Sequence, residues 1–517
     1  MSQYKTALVS VADKTGIEIF CKKLIEAGVN IIATGGTYRF LADNGIECGK
    51  IEDITGFPDL FDGRVKTLHP WIMGGILADR HKQPHLKAAE EHRISLIDIV
   101  VVNLYPFEEI VNKEGITHSD AIENIDIGGI TLIRAAAKNH ETVYVVTDPA
   151  DYDAVIDELN SNRDTDELRR KLAEKAFNRT AHYDSLISAY FRSVNGLPDE
   201  FPELLPSGYR KSQNLRYGEN PHQKAALYKN GYFNGVSLAK AILHSGREIS
   251  YNNLNDLEAV LEMILDFEEP FAVIVKHTNP CGAAVAENLA QAYSDALACD
   301  EMSAFGGIVG VNRIVDMETA KRIHDTFFLE CILAPGYEPE ALELLTRKKN
   351  RRIISCGDLR LHDYESGWTT KPIMGGQLVQ SRDRFIPDSF DFETATKSEP
   401  TEEQLKSLSF AMKIVKHIKS NAIVIVNGTK TVGVGAGQTS RVDSAMIAVR
   451  KAGERAMDAV AASDAFFPMP DGLETLAKAG VTAVIQPGGS KRDPEVIEAA
   501  NNHKIAMIFT GRRHFKH

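Results

Sequence analysis

Short apolar runs alternate with helix-periodic segments along the first 150 residues of the chain. Residues 7–11, 30–33, 97–103 and 143–147 have the length and the β-branched content of buried strands. Between them, segments such as 16–27 carry apolar residues at helical spacing. This alternation predicts βαβ units and a parallel sheet, which places the N-terminal part in the α/β class.

The rest of the chain is divided by two polar breaks. An amphipathic pattern over residues 164–192 predicts a helix or helix pair, and the glycines and prolines that follow it predict a linker. A second break spans residues 382–403, and an apolar strand-like run lies on each side of it, at 272–275 and 422–426. The pattern predicts a domain over 1–195, a linker over 196–212, and a domain over 213–517 with duplicated halves that meet near 382–403.

Composition narrows the class of protein. At 517 residues the chain exceeds one ordinary hydrophobic core, and its net charge of −12 argues against a nucleic-acid binder. The six cysteines form no Cys-x-x-Cys pair, residues 1–14 lack the features of a signal peptide, and the apolar runs are too short to span a membrane. These features predict a reduced, cytoplasmic enzyme with no zinc site and no membrane partner.

The first two predicted strands end in small, hydroxyl-bearing turns. Ser10 and Lys14 belong to the turn Ser-Val-Ala-Asp-Lys-Thr-Gly, and the second turn contains Thr34, Gly36 and Thr37. Glycine lets the backbone approach a ligand, and a helix N-terminus attracts an anion. The pair of turns favours a phosphate site, although tight turns with helix caps would give the same pattern.

Further polar residues follow in the same part of the chain. The motif of residues 63–70 brings Arg64, Lys66 and Thr67 together, and a third strand ends at Asn103 and Tyr105. A later segment adds the carboxylate of Asp126 and the cation Lys138, which could also belong to a structural ion pair. The motif could also be a solvated basic loop, but convergence beside a phosphate cradle indicates a site for a phosphorylated, nitrogen-rich ligand.

A separate set of candidates lies in the C-terminal part. Lys276 and His277 follow an apolar strand directly and precede a predicted Pro-Gly turn, so two titratable nitrogens lie at a strand end. A single histidine there is more often structural. The glycine-rich segment 433–441 predicts a turn, the C-terminal Arg/His cluster could be a frayed tail, and the basic run 347–352 predicts a solvated face rather than a dock for an anionic cosubstrate.

The ordered set of motifs resembles the bifunctional purine-biosynthesis family that couples AICAR formyltransferase to IMP cyclohydrolase. The resemblance covers essentially the whole chain, from the Ser10 turn through the Lys276-His277 pair to the Arg-His-Phe-x-His end. It implies a methylglyoxal-synthase-like parallel-sheet domain followed by two cytidine-deaminase-like α/β subdomains, without the zinc ligands of true deaminases. It also implies 10-formyltetrahydrofolate as co-substrate, no catalytic metal, and a homodimer whose transferase site is completed across the subunit interface.

For formyl transfer, the resemblance implies His277 as the base, acting directly or through the substrate carboxamide. Lys276 would supply positive charge or a proton to the folate side, and Asn421 would hydrogen-bond the formyl group. The remaining implied contacts are Arg216 and Tyr217 to AICAR, Phe305, Gly306, Phe466 and Asp471 on the folate side, and Arg441, Arg513 and His517 to the nucleotide. Glu330 stands where some relatives carry Asp, which leaves its role open.

For ring closure, the resemblance implies Lys66 as oxyanion stabiliser or acid and Asp126 as the group that polarises the amide. Asn103, Tyr105 and Lys138 would position or shuttle protons. The 5′-phosphate would be held by Ser10, Lys14, Thr34, Gly36, Thr37, Arg64 and Thr67. A nucleotide-sensing module, a zinc deaminase and a sugar-phosphate lyase are the rival interpretations; the first would lack Lys66, Lys276 or His277, and all three are present.

Overall fold

The computed structural model describes residues 4–58, 61, 64–161, 166–196, 201–233, 235–359, 367–383 and 393–517. Two compact units emerge, Met1–Arg210 with Lys229–Phe233, and Lys211–Tyr228 with Asn234–His517. Residue Gly63 of the basic motif, residues 197–200 of the predicted linker and residues 384–392 of the predicted junction lie outside the described residues. None of the described helices combines the length and hydropathy that crossing a membrane requires.

The first unit contains a five-stranded sheet in which every pairing is parallel. Its strands are β1 (Thr6–Val11), β2 (Asn30–Ala33), β3 (Gly49–Lys50), β4 (Ile99–Asn103) and β5 (Tyr144–Val146). Its helices are α1 (Ile17–Glu26), α2 (Gly35–Asp43), α3 (Ile51–Thr55), α4 (Pro70–Leu77), α5 (Gln83–Glu91), α6 (Phe107–Val111), α7 (His118–Glu123), α8 (Gly128–Lys138), α9 (Tyr152–Ser161) and α10 (Asp166–Val194). The predicted parallel sheet and α/β class are confirmed.

The strand order places a ligand-binding edge between β1 and β4. The strand order in the sheet is β3-β2-β1-β4-β5. After β1 the chain adds β2 and β3 on one side of it, and then adds β4 and β5 on the other side. Val11 pairs with Asn103 at the carboxyl ends of these two strands. Open α/β sheets bind ligands outside the strand ends at such a switch point.

The second unit is built on a sheet of twelve strands. Its first half contains β8 (Ile242–Ser245), α11 (Tyr251–Ile264), β9 (Phe271–Lys276), β10 (Asn279–Val285), α12 (Leu289–Leu297), α13 (Glu301–Ala304), β11 (Ile308–Val311), α14 (Met317–Asp325), β12 (Cys331–Ala334), α15 (Pro339–Thr346) and β13 (Arg352–Ser355). Its second half contains β16 (Glu393–Thr394), α16 (Glu402–Val415), β17 (Ile423–Asn427), β18 (Lys430–Gly435), α17 (Arg441–Ala452), β19 (Val460–Ser463), α18 (Pro470–Lys478), β20 (Ala483–Gln486), α19 (Asp493–Asn502) and β21 (Ala506–Phe509).

The two halves repeat one fold. In each, a helix leads into an antiparallel hairpin, and three parallel strands follow with helices between them. The spatial orders, β10-β9-β11-β12-β13 and β18-β17-β19-β20-β21, are equivalent, and the halves join where Ala284 pairs with Lys430. Helices α11 and α16 contribute to one apolar core that both halves share. Two further hairpins are formed by β6 (Tyr209–Leu215) with β7 (Ala225–Asn230) and by β14 (Trp368–Ile373) with β15 (Gly376–Ser381).

The predicted Pro-Gly turn is wrong, and the predicted glycine-rich turn is wrong for its first residues, because these residues lie in strands. Pro280 and Gly282 belong to β10, where the register shifts between them, and an irregular position tolerates a proline that lacks an N–H. Gly433 and Gly435 belong to β18. A Cβ at either glycine would collide with carbonyl oxygens of α17, so here glycine allows close helix–strand packing.

Candidate active sites

In the first unit, the side chain of Asn103 shapes the loop that follows β1. Its carboxamide oxygen accepts hydrogen bonds from the backbone N–H groups of Ala12 at 2.6 Å and Asp13 at 2.9 Å. Its amide nitrogen donates to the Asp13 carbonyl at 2.9 Å. Asn103 therefore fixes the backbone of the loop beside Lys14.

Two lysines converge on the N-terminus of α2. A Cβ at Gly35 would lie 2.5 Å from the Lys66 amine, so the bare glycine makes room for this cation. The Lys14 amine lies 3.3 Å from the Thr37 hydroxyl in the same helical turn, and burial lowers the pKa of Lys14. Cations beside the positive end of a helix repel it unless an anion binds between them. The arrangement is suited to a phosphate.

The hydroxyl groups of this cradle are partly engaged within the protein. Thr34 donates to the Ser10 hydroxyl at 2.8 Å, which joins the ends of β1 and β2. The Thr37 hydroxyl is buried and bonds to both the N–H and the carbonyl of Val11. Thr37 therefore ties α2 to β1, whereas Gly36 has open space around the position of a Cβ.

Asp126 lies at the N-terminus of α8, opposite the basic motif. Its carboxylate accepts from the Gly129 N–H at 2.7 Å, and its own N–H donates to the Tyr183 hydroxyl at 2.8 Å. Burial raises the pKa of Asp126, although hydrogen bonds from the backbone of Gly129 and Tyr105 oppose the rise. A Cβ at Gly128 would lie 2.7 Å from the Thr67 hydroxyl, so Thr67 packs against the same helix end.

Two predicted residues of the first unit lie apart from this cluster. Lys138 is the last residue of α8, ten residues after Gly128, and a helix of that length separates its ends by about 15 Å. Its side chain is exposed, so the structure does not bring it to the Asp126 end. Arg64 forms an ion pair with Glu123 of α7, and both side chains are more than half exposed.

In the second unit, a cavity of about 910 Å³ contains the Lys276-His277 pair. Arg216, Tyr217, Gly306 and Glu330 also line it. The Lys276 amine donates to the Phe305 carbonyl at 2.8 Å, which fixes the lysine beside the loop before β11. The structure thus brings together the predicted catalytic pair, the predicted AICAR contacts and part of the predicted folate side.

The turn that carries His277 has an unusual backbone. His277 and Thr278 have φ angles of 53° and 63°, in the left-handed region, and Lys276 pairs with Asn279 across them. Two-residue hairpin loops of this kind favour Asn and Gly, and side chains such as these cost of order 1–3 kcal/mol each. In the second repeat, Gly428 follows β17 at the equivalent place, with φ of 61°. Strain of this kind is typical of functional positions.

Glu330 forms an ion pair with the basic run, part of which is buried. The Glu330 carboxylate forms an ion pair with Arg352 at 2.6 Å, and Arg352 also donates to the Glu248 carbonyl at 2.9 Å. Arg351 and Arg352 are only 2% and 8% exposed, so the prediction of a solvated face is wrong for these two residues. Arg351 donates to main-chain carbonyls behind the cavity, while Arg352 and Asn350 line it.

Five more of the predicted residues line a separate, smaller cavity of about 340 Å³, namely Asn421, Arg441, Phe466, Asp471 and Arg513. Phe305 and His517 are lining residues of neither this cavity nor the larger one. The guanidinium of Arg441 is 5% exposed and bonds to Asp464, the Ser463 hydroxyl and the Asn421 side-chain oxygen. Arg441 therefore holds the Asn421 side chain in position through a hydrogen bond of 2.7 Å, and it also lines this cavity.

The C-terminal tail is held in place, which excludes the frayed-tail alternative. Ser420 donates its N–H to the Lys516 carbonyl at 2.9 Å, and the Lys516 N–H returns a bond to the Ser420 hydroxyl at 3.2 Å. The Lys516 amine pairs with Glu262 of α11 at 2.9 Å. The Arg513 guanidinium lies over the Phe515 ring, 4.6 Å from its centroid. The His517 ring also contacts Phe515, with the two ring centroids 5.6 Å apart.

Several cavity residues were not found from the sequence. Arg247, Asn253, Asp256, Asn350 and Lys419 line the larger cavity but belong to three separate segments. The polar run Tyr-Asn-Asn-Leu-Asn-Asp at the start of α11 was the available signal, since amides on successive positions are unusual in a buried helix. Among the described residues, no three His, Cys, Asp or Glu side chains are grouped so that they could hold a metal ion.

Comparison with known proteins supports both units. The AICARFT/IMPCHase bienzyme family model matches residues 136–451, and the MGS-like domain model matches residues 16–131. The bifunctional purine biosynthesis protein PurH of Thermoanaerobacter sp. (strain X514) is 51% identical over 515 residues, which is 99% of this chain and 100% of that protein. The PurH of Bacillus cereus (strain B4264) is 51% identical over 514 residues, again 99% and 100% of the two chains. This chain therefore belongs to the AICARFT/IMPCHase bienzyme family.

Proposed function

We propose that this chain catalyses two consecutive reactions that end in IMP. The first transfers the formyl group of 10-formyltetrahydrofolate to the 5-amino group of AICAR, and the second closes the ring of formyl-AICAR with loss of water. The observation that carries the proposal is the 51% identity to PurH proteins over 99% of the chain. Residues 1–195 would perform ring closure and residues 213–517 formyl transfer, in the cytoplasm.

Formyl transfer needs a base because the acceptor amine is a poor nucleophile. Its lone pair is delocalised into the ring that carries the carboxamide, so its proton must leave as the new C–N bond forms. His277 accepts this proton, directly or through the carboxamide, and Lys276 supplies charge or a proton as N10 of the folate leaves. Asn421 hydrogen-bonds the oxygen of the tetrahedral intermediate.

Ring closure needs less assistance, since both reacting groups sit on one ring. The carboxamide nitrogen attacks the formyl carbon, and the hydroxyl of the resulting carbinolamine leaves as water. Lys66 stabilises the developing oxyanion or donates the proton, while Asp126, with its raised pKa, accepts a proton from the amide. The cradle of Ser10, Lys14, Thr34, Gly36 and Thr67 holds the 5′-phosphate.

The protein would act as a homodimer whose transferase site combines two chains. His277 and Asn421, both assigned to one formyl transfer, line separate cavities of a single chain, and this separation supports a composite site. In such a dimer the larger cavity of one protomer faces the smaller cavity of its partner. A closed two-fold dimer contains two such sites.

The composite site predicts complementation between two inactive variants. His277→Ala and Arg513→Ala change residues of different cavities, so a mixed dimer has one site with both changes and one site with neither. Random exchange makes half of the dimers mixed, and we expect about one quarter of the wild-type formyl transfer rate. Unfolding and refolding an equal mixture, then measuring tetrahydrofolate release, tests this. If the mixture stays inactive while refolded wild type recovers, the site lies within one chain.

The activities themselves are tested by incubating the purified chain with AICAR and 10-formyltetrahydrofolate. We expect tetrahydrofolate and IMP, and IMP alone from formyl-AICAR without folate. Absence of tetrahydrofolate would refute the formyltransferase assignment. Methylglyoxal formed from a triose phosphate would instead favour the lyase alternative, and deamination by a zinc-loaded protein would favour the deaminase.

A further inference from the structure

The turn that presents His277 lacks the glycine that its backbone conformation favours. The second repeat places Gly428 at the equivalent position, whereas the first repeat holds His277 and Thr278 at positive φ. A loop with two side chains in this conformation tends to relax unless neighbouring groups fix it. Side-chain contacts beside the turn are therefore expected to fix its conformation.

The first such contact comes from α11. The Asp256 carboxylate accepts a hydrogen bond from the Thr278 N–H at 2.6 Å. Asp256 also lines the larger cavity, so the bond lies beside the space where substrate would bind. A hydrogen bond to a charged acceptor is stronger than an ordinary one, and here it acts on the residue next to His277.

The second contact comes from Asn279 at the start of β10. Its amide nitrogen donates to the His277 carbonyl at 3.0 Å, and its oxygen accepts from the Lys419 N–H at 3.0 Å. Lys419 belongs to the second repeat and lies two residues before Asn421. One side chain thus ties the His277 turn to the segment that leads to Asn421.

We propose that Asp256 and Asn279 are positioning residues for formyl transfer, which hold the His277 turn in its left-handed conformation. The inference rests on the proposed function of His277. Asp256 fixes the Thr278 end of the turn, and Asn279 fixes the His277 carbonyl. Displacing a catalytic group by about 1 Å can cost about 10²-fold in rate, so loss of either contact is expected to lower kcat.

The decisive experiment measures kcat and KM for formyl transfer in a short set of variants. Asp256→Ala is expected to lower kcat about 10²-fold with little change in KM for AICAR, because the proposed AICAR contacts Arg216 and Tyr217 remain in the cavity. Asp256→Asn retains an acceptor oxygen and is expected to retain most of the activity. Asn279→Ala is expected to lower kcat in the same way as Asp256→Ala. Glu498→Ala, on the exposed surface of α19, is the control.

A second change separates positioning from direct action. Glycine adopts positive φ freely. The double variant Asp256→Ala with Thr278→Gly is therefore expected to recover at least part of the kcat that Asp256→Ala loses. Full kcat in Asp256→Ala, or a loss that Thr278→Gly does not restore while KM is preserved, would overturn the proposal. Undiminished formyl transfer in His277→Ala would instead overturn the proposed role of His277, so the two failures are distinguishable.

Discussion

Replacement of His277 by alanine is expected to abolish formyl transfer and to leave ring closure intact. The amine of AICAR cannot attack efficiently while it keeps its proton, and no other imidazole lines the larger cavity among the described residues. General base catalysis contributes about 10²–10⁴-fold, so the rate of tetrahydrofolate release should fall by that factor. The measurement is the absorbance change on folate turnover, with AICAR and 10-formyltetrahydrofolate at saturation.

Two comparisons make the result specific to the site. His503→Ala removes an exposed histidine at the end of α19 and should transfer formyl at the wild-type rate. The KM for AICAR in His277→Ala should remain close to wild type, because Arg216 and Tyr217 line the cavity independently of the imidazole. Formyl transfer at the wild-type rate in His277→Ala would show that the base lies elsewhere.

Helices and strands could be predicted from sequence where their own residues form a clear apolar or amphipathic pattern. Strands β4, β9 and β17 are continuous apolar runs up to their last residue, and α10 has a long amphipathic pattern that covers most of its 29 residues. Such strands are buried along their whole length, so their sequence shows little alternation. The α/β class and the parallel sheet followed from them.

The hairpin partners β10 and β18 could not be predicted in this way. Both contain glycine, and β10 contains Pro280, residues that locally favour turns. They form strands because long-range pairing with β9 and β17 and close packing of α12 and α17 outweigh the local preference. Contacts with distant segments likewise bury two arginines that look solvated in sequence, since Arg351 donates to the Ile323 and Phe327 carbonyls and Arg352 bonds to Glu248 and Glu330.

The sequence predicted individual site residues, but not which of them lie together in one cavity. Lys276, His277, Arg216 and Tyr217 come together as expected, while Asn421 lies with a separate cavity. Sequence order contains no information on which strand ends share an edge when a fold is duplicated. The contacts of Asp256 and Asn279 with the His277 turn could not be predicted, because each depends on a single backbone N–H or carbonyl that the chain brings near only when folded.

Replacement of Lys66 by alanine is expected to stop ring closure and to leave formyl transfer unchanged. The Lys66 amine lies 2.5 Å from the position that a Cβ of Gly35 would take, at the positive end of α2, so its charge adds to a potential that favours an anionic oxygen of the ligand. Loss of one oxyanion-stabilising donor costs about 10²–10³-fold in kcat. With AICAR and 10-formyltetrahydrofolate, the variant should accumulate formyl-AICAR, which chromatography separates from IMP.

Two further variants determine what Lys66 contributes. Lys66→Arg keeps the charge but loses most capacity to donate a proton, so it should retain activity if the amine stabilises an oxyanion and lose it if the amine is the acid. Lys22→Ala, on the exposed side of α1, is the matched control and should close the ring at the wild-type rate. If Lys66→Ala raises KM for formyl-AICAR and leaves kcat unchanged, the lysine binds the phosphate together with Lys14, and the catalytic assignment fails.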